Sequence, residues 1–386
     1  MWGGGSPAPA RNRQREGALV VAWPGAPAAS LEREGIPFRP VGEVLGAEGL
    51  AAADGAARTW ARVWGRLPIA DGRSFRELVE WRGSSLLWST TSFLLHETAG
   101  PRCARTAERA LRLLEATAAA EVDAPGLAAA DRLLLSRACA ERGVLFHDRA
   151  GGAGRPLPVA RAAPGSRVGQ LLASAFASSV PPPPTPAAGA GLGAAPVLVL
   201  VGEERGALGP LPEAVATRLE CPVLEVGLGE LPRWETKRAR RAIAEADALL
   251  RGRLRALSGT AGLAASYVHR GVGFADLAEN DLEALLRGPL AAAVRRIEAA
   301  VELLAATRPA VVLLAVSRRD DRRSLVHACA AGGVPSVVLR LGEEGEAARA
   351  DGGPQPAAEL EWEPARDPAP VVEALREASR GRVGAG

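Results

Sequence analysis

Val197-Leu-Val-Leu-Val201 is an uninterrupted apolar run that stands between Pro196 and Gly202. A short run of this kind, bounded by residues that break regular structure, is typical of a strand covered on both faces, as in a parallel sheet. Further runs of the same kind predict strands at 222–226, 310–316 and 336–339. The second half of the chain therefore has the strands of a parallel sheet.

Helical patterns separate these strands. Pro289 suits the first turn of a helix, and an apolar stripe then recurs at helical spacing. The stripe consists of Leu290, Val294, Ile297, Val301 and Leu304. Strands that alternate with amphipathic helices imply crossover connections, so we expect a Rossmann-like domain here.

The first half follows the same plan less clearly. Strands are predicted at 18–23, 36–41 and 144–147, and helices at 26–34, 105–118 and 127–142. A short internal sequence similarity supports a common plan for the two halves. The segment Arg137-Ala-Cys-Ala-Glu-Arg-Gly143-Val144 resembles His327-Ala-Cys-Ala-Ala-Gly-Gly333-Val334. In each segment we expect a buried cysteine on the helix, a glycine in the left-handed cap position and a strand that opens at the valine.

A sharp change in composition divides the halves. Residues 150–196 are rich in Gly, Pro and Ala and cannot bury enough apolar surface to offset chain entropy. The expected fold is α/β, with two Rossmann-like lobes that have parallel sheets and are joined by this linker. The predicted boundaries are 1–17 for a disordered N-terminus, 18–149 for the first α/β domain, 150–196 for the linker, 197–342 for the Rossmann-like domain and 343–386 for a tail with one short helix.

Composition excludes several classes of function. The chain of 386 residues has a formal net charge of +3, too even for binding nucleic acid through bulk charge. Its four cysteines form no C-x-x-C pair and its four histidines show no metal-ligand spacing, which argues against a metal centre, and no cofactor is expected. No secretory leader or transmembrane segment is recognisable, so we expect a protein of the reducing cytoplasm.

The first candidate site follows the Val197 strand. Ligands of doubly wound folds collect beyond the carboxyl ends of the strands. Gly202 and Gly206 would allow close approach of a ligand to the backbone there, and Glu203 could bind a sugar hydroxyl or act as a base. The spacing matches neither nucleotide fingerprint, so a plain glycine-rich turn is the alternative.

Two further loops would share this edge. Ser317, Arg318 and Arg319 follow the strand at 310–316, where a ligand anion would meet the start of a helix. Simple capping and solvent-exposed pairing of the charges is the alternative. Gly342 follows the next strand and would form a third rim.

Tryptophan is concentrated near the N-terminus. Trp60 and Trp64 are four residues apart and would share one helix face. Packing in a core and a platform for stacking sugars are the two interpretations, and core packing is the more common use of such residues.

Part of the second half resembles a family of bacterial surface-polysaccharide proteins related to GT-B glycosyltransferases. The resemblance covers 267–345 and rests on Arg270-Gly-Val-Gly-Phe-Ala-Asp-Leu277, on the strand at 310–316 and on Ala330-Ala-Gly-Gly-Val-Pro-Ser-Val-Val-Leu339. The family commonly ends the following strand with Gln-His-Gly, whereas this chain has Arg340-Leu341-Gly342.

The resemblance implies a glycosyltransferase-like protein of surface-polysaccharide assembly. Such a protein would take a nucleotide-sugar or sugar ligand and transfer the sugar, with Glu203 as the base and Arg318 and Arg319 on the phosphates. It could associate with other polysaccharide assembly proteins. A catalytically inactive GT-B-derived binding or scaffold module is the main alternative, and a small-ligand sensor with two hinged lobes is a third.

Overall fold

The computed structural model describes residues 19–24, 28–33, 35–124, 127–147, 195–202, 205–257, 260–317, 319–341, 353–363 and 366–383. Within them the protein is mixed α/β and contains parallel sheets, as the sequence predicts. The predicted N-terminal segment 1–17 and residues 150–194 of the predicted linker lie outside the described residues.

The strands are β1 (Val21–Ala22), β2 (Arg39–Pro40), β3 (Pro68–Ala70), β4 (Arg73–Ser74), β5 (Glu80–Trp81), β6 (Ser84–Ser85), β7 (Glu121–Asp123), β8 (Leu145–His147), β9 (Val197–Val201), β10 (Val223–Gly227), β11 (Val268–His269), β12 (Val272–Gly273), β13 (Val311–Ala315), β14 (Ser336–Leu341) and β15 (Ala358–Trp362). The α-helices are α1 (Ala28–Arg33), α2 (Val41–Trp64), α3 (Phe75–Leu78), α4 (Thr91–Glu97), α5 (Ala99–Thr117), α6 (Ala129–Glu141), α7 (Leu211–Leu219), α8 (Lys237–Leu257), α9 (Ala261–Ser266), α10 (Asp281–Leu285), α11 (Ala291–Thr307), α12 (Arg319–Ala331) and α13 (Ala369–Val383).

A five-stranded parallel sheet has the order β10-β9-β13-β14-β15. Numbered along the chain, this order is 2-1-3-4-5, one of the two common orders of doubly wound sheets. β9 pairs with β10 on one side and with β13 on the other, and Val201 is opposite both Gly227 and Ala315. The winding direction therefore reverses between β9 and β13.

The central strands of the sheet are buried on both faces. Val197, Val199 and Val201 pack with residues of α7 and α13, while Leu198 and Leu200 on the opposite face are equally buried. This two-sided burial explains why β9 and β13 have continuous apolar sequences.

The C-terminal residues contribute more than the predicted tail with a short helix. β15 adds to the edge of the sheet beside β14, and its Trp362 is buried in the core. α13 packs on the same face through Val371, Val372 and Leu375. The prediction missed β15 because an edge strand alternates between exposed and covered residues and has no continuous apolar run.

Pro289 does not begin a helix, contrary to the sequence prediction. It lies in a π-helical turn, Leu286–Leu290, that links α10 to α11. Proline cannot donate to the preceding turn and its ring crowds the carbonyl four residues back, so the helix widens there instead of starting. The apolar stripe that follows is buried as predicted.

The described residues form two compact units. One comprises the described residues within 1–56, 104–153 and 269–272, and the other comprises those within 57–103, 154–268 and 273–386. Each unit therefore takes segments from both halves of the sequence. The first contains the parallel pairs β1-β2 and β7-β8, and the second contains the five-stranded sheet.

The two predicted glycine caps are confirmed. Gly143 and Gly333 have φ values of 67° and 63°. At the first cap Val144 donates to the Cys139 carbonyl at 2.8 Å, and at the second Val334 donates to the Cys329 carbonyl at 2.9 Å. Both helices thus end in a Schellman motif, and both cysteines are buried beneath it.

Candidate functional site

The candidate site lies where the winding of the five-stranded sheet reverses. In open α/β sheets the loops after the two strands at this point diverge and leave a crevice outside the carboxyl ends. Gly202 follows β9, and Ser317 follows β13 after Val316. These are two of the residues that the sequence singled out.

Gly202 and Ser317 are close neighbours. The Gly202 N–H donates to the Ala315 carbonyl at 3.0 Å, which extends the pairing of β9 with β13 by one bond. A Cβ atom built on Gly202 would lie 3.9 Å from the Ser317 nitrogen and 3.7 Å from Val316 Cα. The structure therefore brings these two predicted residues to one point.

The remaining predicted residues have different placements. Gly206 is exposed in the 3-10 turn Arg205–Leu208, and Arg319 is half-buried at the first position of α12. The indole nitrogen of Trp362 donates to the Ala207 carbonyl at 3.0 Å, which fixes the turn that carries Gly206. The predicted residues Glu203, Arg318 and Gly342 lie outside the described residues.

The charged residues that follow Arg319 have structural partners. Asp321 pairs with Arg296 of α11 at 2.7 Å. The buried Arg322 donates to the Val316 carbonyl at 3.3 Å and so anchors α12 to the end of β13. These contacts hold the start of α12 against α11 and the end of β13.

A buried polar cluster, termed the Glu298 clamp, lies on α11. The Glu298 carboxylate is 1% exposed and accepts two bonds from Arg82, at 2.6 and 2.7 Å, and one from the Trp81 indole nitrogen at 2.7 Å. Hydrogen bonding to Glu298 raises the pKa of Arg82. The nearby His327 donates from Nε2 to the Trp81 carbonyl at 2.9 Å, and burial lowers its pKa below the usual value.

A second buried cluster, termed the Glu108 clamp, lies on α5. His269 Nε2 is 2.8 Å from the Glu108 carboxylate, Arg270 donates to both oxygens at 3.2 Å, and Arg112 donates at 2.6 Å. Burial alone would raise the pKa of Glu108, but these hydrogen bonds outweigh it and leave the pKa below its usual value. His269 is thus bound as a partner of a buried carboxylate.

Sequence reasoning missed both clamps. The only local signal is an Arg-Gly dipeptide, Arg82-Gly83 for the Glu298 clamp and Arg270-Gly271 for the Glu108 clamp. Glycine at this place is compatible with a two-residue hairpin turn. The glutamates themselves sit in ordinary helical patterns. Nothing in the sequence near Glu298 indicates a partner that lies more than two hundred residues earlier.

Trp60 and Trp64 serve in a core, which is the packing interpretation. Their rings stack with centroids 5.7 Å apart, and both contact Tyr267 at about the same distance. Both tryptophans are buried. They offer no exposed platform for a sugar.

Within the described ranges, no group of three or more His, Cys, Asp or Glu side chains could hold a metal ion. No helix there is both long enough and apolar enough to cross a bilayer. No family model, no curated protein and no solved structure matches the chain.

Proposed function

We propose that the five-stranded sheet binds a nucleotide sugar in the crevice beside Gly202 and Ser317, as part of a glycosyltransferase-like protein of surface-polysaccharide assembly. The observation that supports it most is the reversal of winding between β9 and β13, with Gly202 directly after β9 and Ser317 two residues after β13. This is the ligand position of doubly wound sheets.

The local chemistry suits a phosphate-bearing ligand. Gly202 has no side chain to keep a ligand away from the backbone. α12 begins at Arg319, and the free N–H groups and positive dipole end of a helix start favour anions. A diphosphate is the anionic part of a nucleotide sugar, and the resemblance of 267–345 to GT-B-related proteins is the reason to expect a sugar on it.

The proposed reaction is transfer of the sugar to an acceptor hydroxyl. Glu203 would take the proton of the acceptor hydroxyl while the hydroxyl oxygen attacks the anomeric carbon of the sugar. The bond between the anomeric carbon and the diphosphate breaks in the same step. Backbone N–H groups, Arg318 and Arg319 would stabilise the charge on the departing diphosphate. Gly206 and Gly342 would complete the rim of the crevice.

A binding module without turnover is the second candidate. Two charged residues near the start of α12 have structural contacts that favour this candidate. Asp321 pairs with Arg296, and the buried Arg322 donates to the backbone at the end of β13. Side chains held in this way are not available to a reacting group.

We also propose that the protein works in the cytoplasm, in association with polysaccharide assembly proteins. The four cysteines form no disulfide. Burial raises the pKa of Cys139 to about 11 and that of Cys329 to about 12, so neither thiol is reactive at neutral pH. Cysteines that remain as thiols fit a reducing compartment.

The test is a binding and turnover panel of UDP-, GDP- and CMP-sugars. A thermal shift with one nucleotide class, lost in Gly202→Leu, is the expected result, because the leucine side chain would fill the space beside Ser317. Gly229→Ala is the matched control, since a Cβ atom added there would have no other atom within 4 Å.

Turnover distinguishes the two candidates. Release of nucleotide that depends on an acceptor supports transfer, and binding without release supports the binding module. Absence of both binding and turnover with every member of the panel would refute the proposed ligand class.

A further inference from the structure

The two halves of the chain repeat one set of element boundaries. α5 ends at Thr117 and α11 ends at Thr307, a spacing of 190 residues (307 − 117). The same spacing relates both ends of α6, Ala129–Glu141, to both ends of α12, Arg319–Ala331, and the start of β7 to the start of β13. The sequence similarity of 137–144 to 327–334 has this spacing too.

Details of the backbone repeat with the boundaries. Thr117 donates to the Leu113 carbonyl at 2.8 Å, and Thr307 donates to the Leu303 carbonyl at 2.8 Å. The next residues, Ala118 and Arg308, both adopt the left-handed conformation, with φ values of 46° and 47°. Non-glycine residues rarely do so, and their agreement at matched positions is therefore informative.

A hairpin precedes the long helix in each half. Arg82-Gly83 and Arg270-Gly271 both have positive φ values, as a two-residue turn between strands requires. Below the turn Leu86 donates to the Val79 carbonyl at 3.0 Å, and Phe274 donates to the Tyr267 carbonyl at 2.9 Å. The two hairpins have the same turn and the same closing hydrogen bond, at a spacing of 188 residues (270 − 82), two fewer than between the helices that follow.

The hairpins are exchanged between the repeats. Glu108 and Glu298 occupy matched positions on α5 and α11. The hairpin of the first half binds the glutamate of the second through Arg82, and the hairpin of the second half binds the glutamate of the first through Arg270. In each clamp a ring nitrogen from the residue before the arginine contacts the same carboxylate.

Other contacts in the larger unit join the same two halves. The carboxylate of Asp281 accepts hydrogen bonds from the N–H groups of Ala99 and Gly100, each at 2.8 Å. Trp64 donates to the Ser266 hydroxyl at 3.1 Å, and its ring lies tilted against Tyr267 with the centroids 5.5 Å apart. Segment 57–103 therefore completes a core that is otherwise made by the second half.

We infer that this chain is an internal duplication, a fused pair of one β/α module, in which each module is completed by the arginine hairpin of the other. The partner that each hairpin fits is the buried glutamate of the opposite repeat. Arg82 and Arg270 are positioning residues that hold the exchange in place. This inference is independent of the proposed ligand.

Hydrogen exchange of the full chain, followed by mass spectrometry, tests the exchange directly. Arg82→Ala should speed exchange of the α11 amides around Glu298 about tenfold or more, because a buried carboxylate loses its charge partner, and should leave α5 around Glu108 unchanged. Arg270→Ala should do the reverse. Arg62→Ala and Arg287→Ala, one exposed arginine in each half, are the controls and should change neither helix.

The opposite pattern would overturn the inference. If Arg82→Ala loosens α5 and not α11, each hairpin serves its own half; if both variants loosen both helices equally, there is no specific exchange. Where an alanine variant does not fold, Arg82→Lys and Arg270→Lys retain the charge but lose the two-pronged geometry, and the same crossed pattern at smaller amplitude is expected.

Discussion

Replacing Asp281 by alanine should destabilise the protein through the start of α5. The Asp281 side chain comes from α10 and is 6% exposed. Its two oxygens accept the N–H groups of Ala99 and Gly100, both at 2.8 Å. These donors belong to the first turn of a helix, where no backbone carbonyl is available to them.

The size of the effect follows from these two bonds. A hydrogen bond to a charged group contributes about 1.5–3 kcal/mol, and the interaction of an anion with a helix start adds up to about 1 kcal/mol. Removing a buried carboxylate recovers part of this, since burial raises the pKa of Asp281 despite both hydrogen bonds. We therefore expect a net loss of about 2–4 kcal/mol for Asp281→Ala, and about half for Asp281→Asn, which keeps one acceptor oxygen.

Urea unfolding followed by circular dichroism and tryptophan fluorescence measures this loss. Trp60 is a suitable fluorescence reporter because its ring lies against Gly100 in the first turn of α5. The contact is so close that a Cβ atom added to Gly100 would lie 2.3 Å from the ring. Asp247→Ala removes an exposed pair with Arg251 and is the control, with an expected loss under about 0.5 kcal/mol. A wild-type midpoint for Asp281→Ala would refute the assigned capping role.

Three other changes have defined outcomes. Arg82→Ala should lower the free energy of unfolding in urea by about 2–4 kcal/mol, because it leaves the buried Glu298 carboxylate without its charge partner. Adding Glu298→Gln should recover part of that loss, and simple additivity of the two changes would contradict the clamp. Gly353→Ala should lower the Tm and cost about 1–3 kcal/mol, since its Cβ would lie 2.3 Å from the Trp88 ring; an unchanged Tm would show that the ring is free to move. The pKa of Glu108 is lowered in the folded protein, so its pairing stabilises the fold above the unfolded-state pKa of 4.5, and this stability is lost as pH falls through the lower folded pKa. Glu108→Gln should therefore flatten the acid limb of a plot of stability against pH. An acid limb identical to that of the wild type would count against the pairing with His269 and Arg270.

The sheet was largely predictable from the sequence. β9, β13 and β14 are buried on both faces, so their side chains are apolar at nearly every position and the pattern needs no distant information. The caps at Gly143 and Gly333 were predictable because a left-handed helix end favours glycine locally. The position of Gly202 and Ser317 followed from the rule for parallel strands.

The composition of the two units could not be predicted. It depends on contacts such as the one between Arg270 and Glu108. These two residues are 162 positions apart, and their contact produces no periodic pattern in the sequence. Short strands such as β5 and β6 could not be predicted either, because two residues give no alternation to detect. β15 was missed because its residues alternate between exposed and covered positions and so lack the apolar run of the central strands.

The proposed ligand site lies between the ends of β9 and β13. Photoaffinity labelling with azido analogues of UDP-, GDP- and CMP-sugars, followed by peptide mapping, tests its location. We expect labelling that is competed away by the unmodified nucleotide sugar and that maps to 202–209 or 316–319. Competable labelling confined to residues elsewhere in the chain, or none with any analogue, would contradict it.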